Sequence, residues 1–514
     1  MLTRFASASF SRRQQRAWLA GIVGFFALCY VLLAVVNHYN FRTFAYDLGI
    51  YNQAMWDYAH LRWNANSLMR YNNLLGDHFV LLQLLWSPLY WVLGSYTLVV
   101  VQIAAVLVGG YGAYRLHLLR TGRTQTTAAL GLLAQYFSIW GIFSALAFDY
   151  HDNVVAAMLL PWLFYFFEQD RRWTAAGVAL LMLISKENMA LWLVFVGLGL
   201  AWLHWRRRDR VAVALGMAAV AAVYFVLVIK VAIPAIGEGR GFYYQQNYAA
   251  IGTTSAQVLH TVFTRPGFVL GMLFQNVPYS QFGDWIKVEL HLMVLLSGGF
   301  ALLRRPAYLL MLAPIYAQKL LSAEIAHWGI NYQYSIEYVP VISAALGHML
   351  IGTTPRQAAR WAWLAAFVTL ATTIVSMEIR VSKWHDKSLS QFYLPRHYRR
   401  GFDVGEVYKG LALIPDDAAI SVLSPLAPHL AFRPYVFPFP YVANANYIAV
   451  LRHDNPYPIS EEELETKIRN YQQSGEWQTV YDQEPLVILK RIHPKPTPAR
   501  RYFELRSTEQ AVAP

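Results

Sequence analysis

The chain has 514 residues, of which 56% are hydrophobic and only 14% charged. Such a composition is too apolar for a soluble enzyme of this length; with 17 Trp and 33 Tyr it suits a bundle of spanning helices with aromatic belts. The net charge of +13 does not point to nucleic acid, because much of it lies in short loops between apolar segments, and the single cysteine, Cys29, excludes an intramolecular disulfide or a cysteine metal cluster.

Arg12, Arg13 and Arg16 precede an apolar run at about 17–36 with no small-residue cleavage site after it. This reads as an uncleaved anchor with a cytoplasmic N-terminus. Residues 37–95 then form a first outer loop. Within it the run at 79–93 is short and carries Pro88, so it reads as an interfacial or re-entrant helix. Spans are expected at about 96–116, 126–147, 153–168, 173–186, 189–205 and 211–231, a long outer loop at 232–287, and spans at 288–303, 306–322, 333–352 and 361–377. One orientation places every basic turn inside: Arg115/Arg120/Arg123, Arg171/Arg172, Arg206 to Arg210, Arg304/Arg305 and Arg356/Arg360. The expected fold is thus an α-helical polytopic membrane protein of about eleven spans over residues 1–378. A small α/β extracytoplasmic domain follows at 379–514 and ends in a loose tail. Its expected elements are buried strands at 419–423 and 447–451, further strands at Val480 and at 486–489, and a helix capped by Ser460 that ends near Gly475. No GxGxxG or GxxxxGK[ST] pattern marks a nucleotide site, and no HExxH or GxSxG motif marks a nucleophile or zinc centre.

Ionisable residues gather on the outer side of this map. Asp47 and Asp57 lie in the first outer loop, which Asp77 and His78 close. Asp149, His151 and Asp152 occupy the next outer turn, and Lys186-Glu187 forms a polar apex between two short spans. Arg240 and Asp284 belong to the long outer loop; Lys319, Glu324, His327 and Tyr334 sit near the end of a later span. Each has an ordinary reading: Asp47 as a helix cap, Lys186–Glu187 as an internal pair, His327 as an interfacial histidine. Charges near a bilayer are costly, however, and tend to serve function. A carboxylate beside a hydroxyl can act as general base, and nearby cations can stabilise a phosphate leaving group. Carboxylates also ligate divalent metals through oxygen, for which Asp149, His151 and Asp152 are the best, though generic, candidates. Beyond such a metal no cofactor is indicated.

The run Tyr46-Asp47-Leu48-Gly49-Ile50-Tyr51-Asn52-Gln53, the element Gly76-Asp77-His78-Phe79, the Lys186-Glu187 apex and the His327 to Pro340 stretch resemble the bacterial membrane-protein family called domain of unknown function 2079. That family in turn resembles the GT-C superfamily, whose members transfer sugar from a polyprenyl-phosphate carrier to an acceptor outside the membrane. The resemblance implies a bacterial inner-membrane glycosyltransferase. Its donor would be a lipid-linked sugar and its acceptor a lipid, a glycan or a protein. Asp47 matches the first-loop acid and would be the general base; Asp77 and His78 would shape the acceptor site. Lys186, Glu187, Arg240, His327 and Tyr334 are assigned to substrate from topology, not by motif. The acidic pair of some GT-C members is absent, since Leu48 follows Asp47. The outer aromatics Trp56, Tyr58, Trp63 and Tyr71 are expected to stack on sugars or to anchor the loop. A transporter or flippase of a lipid-linked envelope precursor is the rival reading, and a non-catalytic scaffold the third. The lack of a clear internal repeat and the one-sided placement of charge weigh against transport.

Overall fold

The computed structural model describes residues 11–63, 66–69, 73–122, 126–237, 243–276, 285–382 and 385–496. The chain divides into two compact units. The first comprises Met1–Ala34, Val101–Pro234 and Arg240–Phe392; the second comprises Val35–Val100, Ala235–Gly239 and Tyr393–Pro514. The first outer loop, which the sequence analysis groups with the membrane helices, therefore packs with the C-terminal region.

The first unit is helical. Among the described residues five helices are long and apolar enough to cross a membrane: Arg12–Tyr39, Gln83–Thr121, Arg208–Ile236, Ile286–Arg304 and Pro355–Glu378. A sixth arises if Thr127–Ser138 and Trp140–Leu146, bent by 42°, form one span. Arg172–Leu183, Glu187–Leu203 and Tyr338–Leu350 are shorter apolar helices. In lipid, hydrophobicity does not drive helices together, so close backbone approach through small residues must do so. Two helix pairs show this. A Cβ at Gly131 would lie 2.9 Å from Ala362 Cβ, where Thr127–Ser138 crosses Pro355–Glu378. A Cβ at Gly197 would lie 2.7 Å from the Ala214 carbonyl oxygen, where Glu187–Leu203 crosses Arg208–Leu227.

The second unit contains a five-stranded sheet: β1 (Ile420–Val422), β2 (Val436–Pro438), β3 (Tyr447–Leu451), β4 (Trp477–Gln483) and β5 (Leu486–Arg491), in the order β2-β1-β3-β5-β4. β1 pairs parallel with β2 and β3, while β5 runs antiparallel to β3 and β4. β1 and β3 are buried along their whole length, which accounts for the apolar run of β3; the one polar residue of β1, Ser421, donates its hydroxyl to the Tyr441 carbonyl at 2.9 Å. Helix Glu461–Gln473 buries Leu464 and Ile468 one turn apart, and the Ser460 side chain accepts the Glu463 N–H at 3.1 Å. The expected strands and helix are present. β2 was not anticipated, because its three residues end in a proline, a poor strand signal.

The first-loop segment is sewn to this sheet. Ser67 Oγ donates to the Val436 carbonyl at 2.6 Å and accepts the Val436 N–H at 2.9 Å. Asn52 Nδ2 donates to the Pro428 carbonyl at 2.9 Å. The run expected to be interfacial resolves into short helices, Gln83–Trp86 and Tyr90–Leu93, joined by 3-10 turns. Leu85, Trp91 and Val92 remain exposed there.

Candidate functional site

Helix Arg172–Leu183 stops at the polar apex, where Ser185 Oγ turns back onto the Met182 carbonyl at 2.6 Å. Lys186 is extended, with φ −167° and ψ 149°, and helix Glu187–Leu203 begins immediately after it. Glu187 thus stands in the first turn, where the helix dipole favours an anion. Lys186 opens onto a small polar cavity of ≈ 30 Å³ within the first unit, enough for about two water molecules. Its wall also takes Asn153, Asn188, Gln318, Lys319, His327, Gln333, Tyr334 and Glu337. Three residues assigned to substrate from sequence, Lys186, His327 and Tyr334, therefore share one cavity. Glu187 is buried in the adjoining helix and is not part of the wall. Arg240 and Asp284 lie outside the described residues.

The cavity's charges differ in how fully they are engaged. Lys319 Nζ donates to the Gly329 carbonyl at 2.9 Å and to Ser335 Oγ at 3.1 Å, and lies 6.0 Å from the Tyr334 ring centre. Asn153 Nδ2 donates to Glu337 Oε1 at 3.0 Å. Among the described residues Lys186 has no hydrogen-bond or ion-pair partner, so its three N–H donors are available to a ligand. His327 Nδ1 meets Ser322 Oγ at 3.0 Å, and its ring packs edge-on to Tyr334 at 4.4 Å. Burial, reinforced by the charges of Lys319 and Lys186, pushes the His327 imidazole down to about 4. At neutral pH it is a neutral hydrogen-bonding group. Glu337 and Gln318 escaped the sequence analysis. The signal for Glu337 was a carboxylate inside the apolar run 333–352.

Asp47, Asp77 and His78 belong to the second unit. Asp47 is half-exposed at the centre of a π-helical turn, Ala45–Gly49, which runs directly into helix Ile50–Ala59. π-turns of this kind are rare and concentrate at functional sites. The turn is held from the C-terminal region: Ser424 Oγ accepts the buried Ala45 N–H at 3.1 Å, and a Cβ at Gly49 would touch Ala427 Cβ at 3.5 Å. Asp77 and His78 are half-buried neighbours, with Oδ2 and Nε2 4.0 Å apart. Gly76 before them faces the backbone of Gly237, where a Cβ would come within 2.9 Å of its Cα. The glycine in the Gly-Asp-His element is thus a packing requirement.

Two expectations need correcting. Trp56 and Tyr58 are buried and do not face outward; the Trp56 ring lies beneath the Arg62 guanidinium at 4.9 Å. Of the aromatics considered, Trp63 is exposed and Tyr71 lies outside the described residues. The metal candidates Asp149, His151 and Asp152 do not converge. Asp152 Oδ1 accepts the Tyr150 hydroxyl at 2.7 Å, and His151 Nδ1 faces the Asp149 carbonyl at 3.2 Å. Among the described residues no group of three or more His, Cys, Asp or Glu side chains is placed to hold a metal ion.

No curated protein matches this sequence. Among solved structures, ArnT from Cupriavidus metallidurans bound to undecaprenyl phosphate aligns over 93% of this chain and 100% of its own, with a TM-score of 0.46 and 14% identity. The family model described as predicted membrane protein (DUF2079) matches residues 37–488, most of the chain, and the protein belongs to that family.

Proposed function

We propose that this protein is an integral membrane glycosyltransferase that moves a sugar from a polyprenyl-phosphate donor to an acceptor on the outer face of the bacterial inner membrane. The observation that carries this reading is the polar cavity among apolar helices, where, among the described residues, the Lys186 ammonium makes no hydrogen bond or ion pair and shares the wall with the Glu337 carboxylate. A half-buried ammonium with no acceptor bound to it is poorly solvated, and an anionic headgroup relieves that cost. In this reading Asp47 takes the proton of the acceptor hydroxyl as its oxygen attacks the anomeric carbon. The bond to the phosphate oxygen breaks, and polyprenyl phosphate leaves. Lys186 and Lys319 stabilise the phosphate charge, His327 adds a neutral hydrogen bond, and Arg240 adds a further cation. Tyr334 closes the wall around the headgroup, Glu187 supports it from the buried first turn of the adjoining helix, and Asp77 and His78 shape the acceptor site. About eleven spans place the N-terminus in the cytoplasm and the sheet-bearing region outside, where it takes acceptor or glycan.

The test is turnover of the lipid-embedded protein on a panel of polyprenyl-phosphate sugars, read as release of polyprenyl phosphate. Asp47→Asn is expected to lower release by about 10²–10⁴-fold with expression unchanged. Release that persists in Asp47→Asn removes Asp47 from the base role. No release across the panel, with acceptor extracts present, overturns the enzyme reading in favour of transport or a non-catalytic scaffold.

A further inference from the structure

Two imidazoles from distant parts of the chain stack face to face in the second unit. His38, at the end of helix Arg12–Tyr39, and His429, in the short helix Ala427–Leu430, lie 4.1 Å apart with their planes 13° from parallel. His38 is buried and both its nitrogens are engaged, Nδ1 with Thr43 Oγ1 at 2.9 Å and Nε2 with Ser95 Oγ at 3.0 Å. His429 is half-buried; its Nδ1 meets the Tyr408 hydroxyl at 3.3 Å and its ring packs on Phe41 at 4.6 Å. The other titratable groups facing the stack are Tyr408, Tyr96, edge-on to His38 at 4.6 Å, and Tyr39, stacked on Tyr408. All three are neutral phenols at physiological pH. Among the described residues no carboxylate hydrogen-bonds to either imidazole. A proton on either ring would therefore meet an aromatic stack and no counter-ion.

We infer that the His38–His429 stack is an acid-sensitive latch that joins the end of the first helix to the C-terminal region and loosens when the His429 ring gains a proton. Burial pushes the His429 imidazole down to about 3, in the direction the geometry requires. The sign follows. A histidine lowered on folding contributes its stability above its unfolded value near 6.5, and loses it as the pH falls below that value. At pH 5 the ceiling for one ring is about a 30-fold rise in the open population, and half-exposure of His429 reduces this to about tenfold.

The test is hydrogen–deuterium exchange of the full chain in lipid nanodiscs at pH 7.5 and pH 5, corrected for intrinsic exchange rates. Amides at 37–58 and 420–438 should exchange about tenfold faster at pH 5, ahead of the remaining backbone. His429→Phe, which keeps an aromatic face and cannot charge, should hold its pH 7.5 protection at pH 5. His429→Gln, a second uncharged variant with a polar group for Tyr408, should do the same. Wild-type exchange that is flat between the two pH values, or that rises uniformly along the chain, overturns the latch without recourse to a variant. An undiminished rise in either folded variant also overturns it. None of these readouts depends on a glycosyl donor.

Discussion

Two lysines of the helical unit stand in opposite conditions. Lys287, in the first turn of helix Ile286–Val294, is saturated: Nζ donates to the carbonyls of Met272 at 2.7 Å, Gln275 at 2.9 Å and Leu320 at 2.8 Å, and lies 4.5 Å from the Trp328 ring centre. Its three protons have three acceptors, so it behaves as a rivet between segments. Among the described residues Lys186 has no such acceptors, and it looks into a cavity. Lys319 lies between them, with two acceptors fixed and a cavity face besides. The contrast separates cations that hold the fold from a cation that is held ready. Both types look alike in a sequence, since each is a lone lysine near an apolar run.

The comparison can be broken most forcefully at the rivet. Lys287→Met should strand three carbonyls and cost about 3–5 kcal/mol, seen as loss of folded protein or a sharply lower thermal midpoint in detergent. A midpoint near wild type would show that those carbonyls find other donors. Lys186→Met should leave the midpoint nearly unchanged. It should weaken binding of a short-chain polyprenyl phosphate by about 10–100-fold, measured by calorimetry on the lipid-embedded protein. If Lys186→Met destabilises as Lys287→Met does, the two lysines belong to one class and the cavity loses its meaning. The smallest effect concerns the Asp47 turn. Ser424→Ala removes the acceptor of a buried N–H and should cost about 1 kcal/mol, read as faster amide exchange at Ala45 with the sheet protected as before.

Much of this architecture was legible in the chain because its signals are local. Apolar runs located the helices, the largely apolar stretches around β1 and β3 located strands of the sheet, and the Ser460 cap located the helix beside them. Of the group Lys186, Glu187, Arg240, His327 and Tyr334 assigned to substrate, one cavity takes Lys186, His327 and Tyr334, while Glu187 stands outside its wall and Arg240 lies outside the described residues. What escaped depended on distant partners. Glu337 and Gln318 gain their significance only from what other helices bring beside them. The neutrality of His327 follows from burial, which spacing does not report. Trp56 and Tyr58 were expected to face outward because they lie in the first outer loop, yet they are buried. The generic pattern of Asp149, His151 and Asp152 suggested a metal because it counts donors and ignores where they point.

The union of the first loop with the sheet has a consequence for biosynthesis. Ser67 and Val436, which exchange two hydrogen bonds, are 369 positions apart. At ordinary rates of synthesis the loop emerges on the order of 20–70 s before the strand that completes it. During that interval the Asp47 turn lacks Ser424 and Ala427, and the backbone groups of the first loop await their partners. The loop must wait for the end of the chain, so any product that stops before β2 carries an unfinished Asp47 turn.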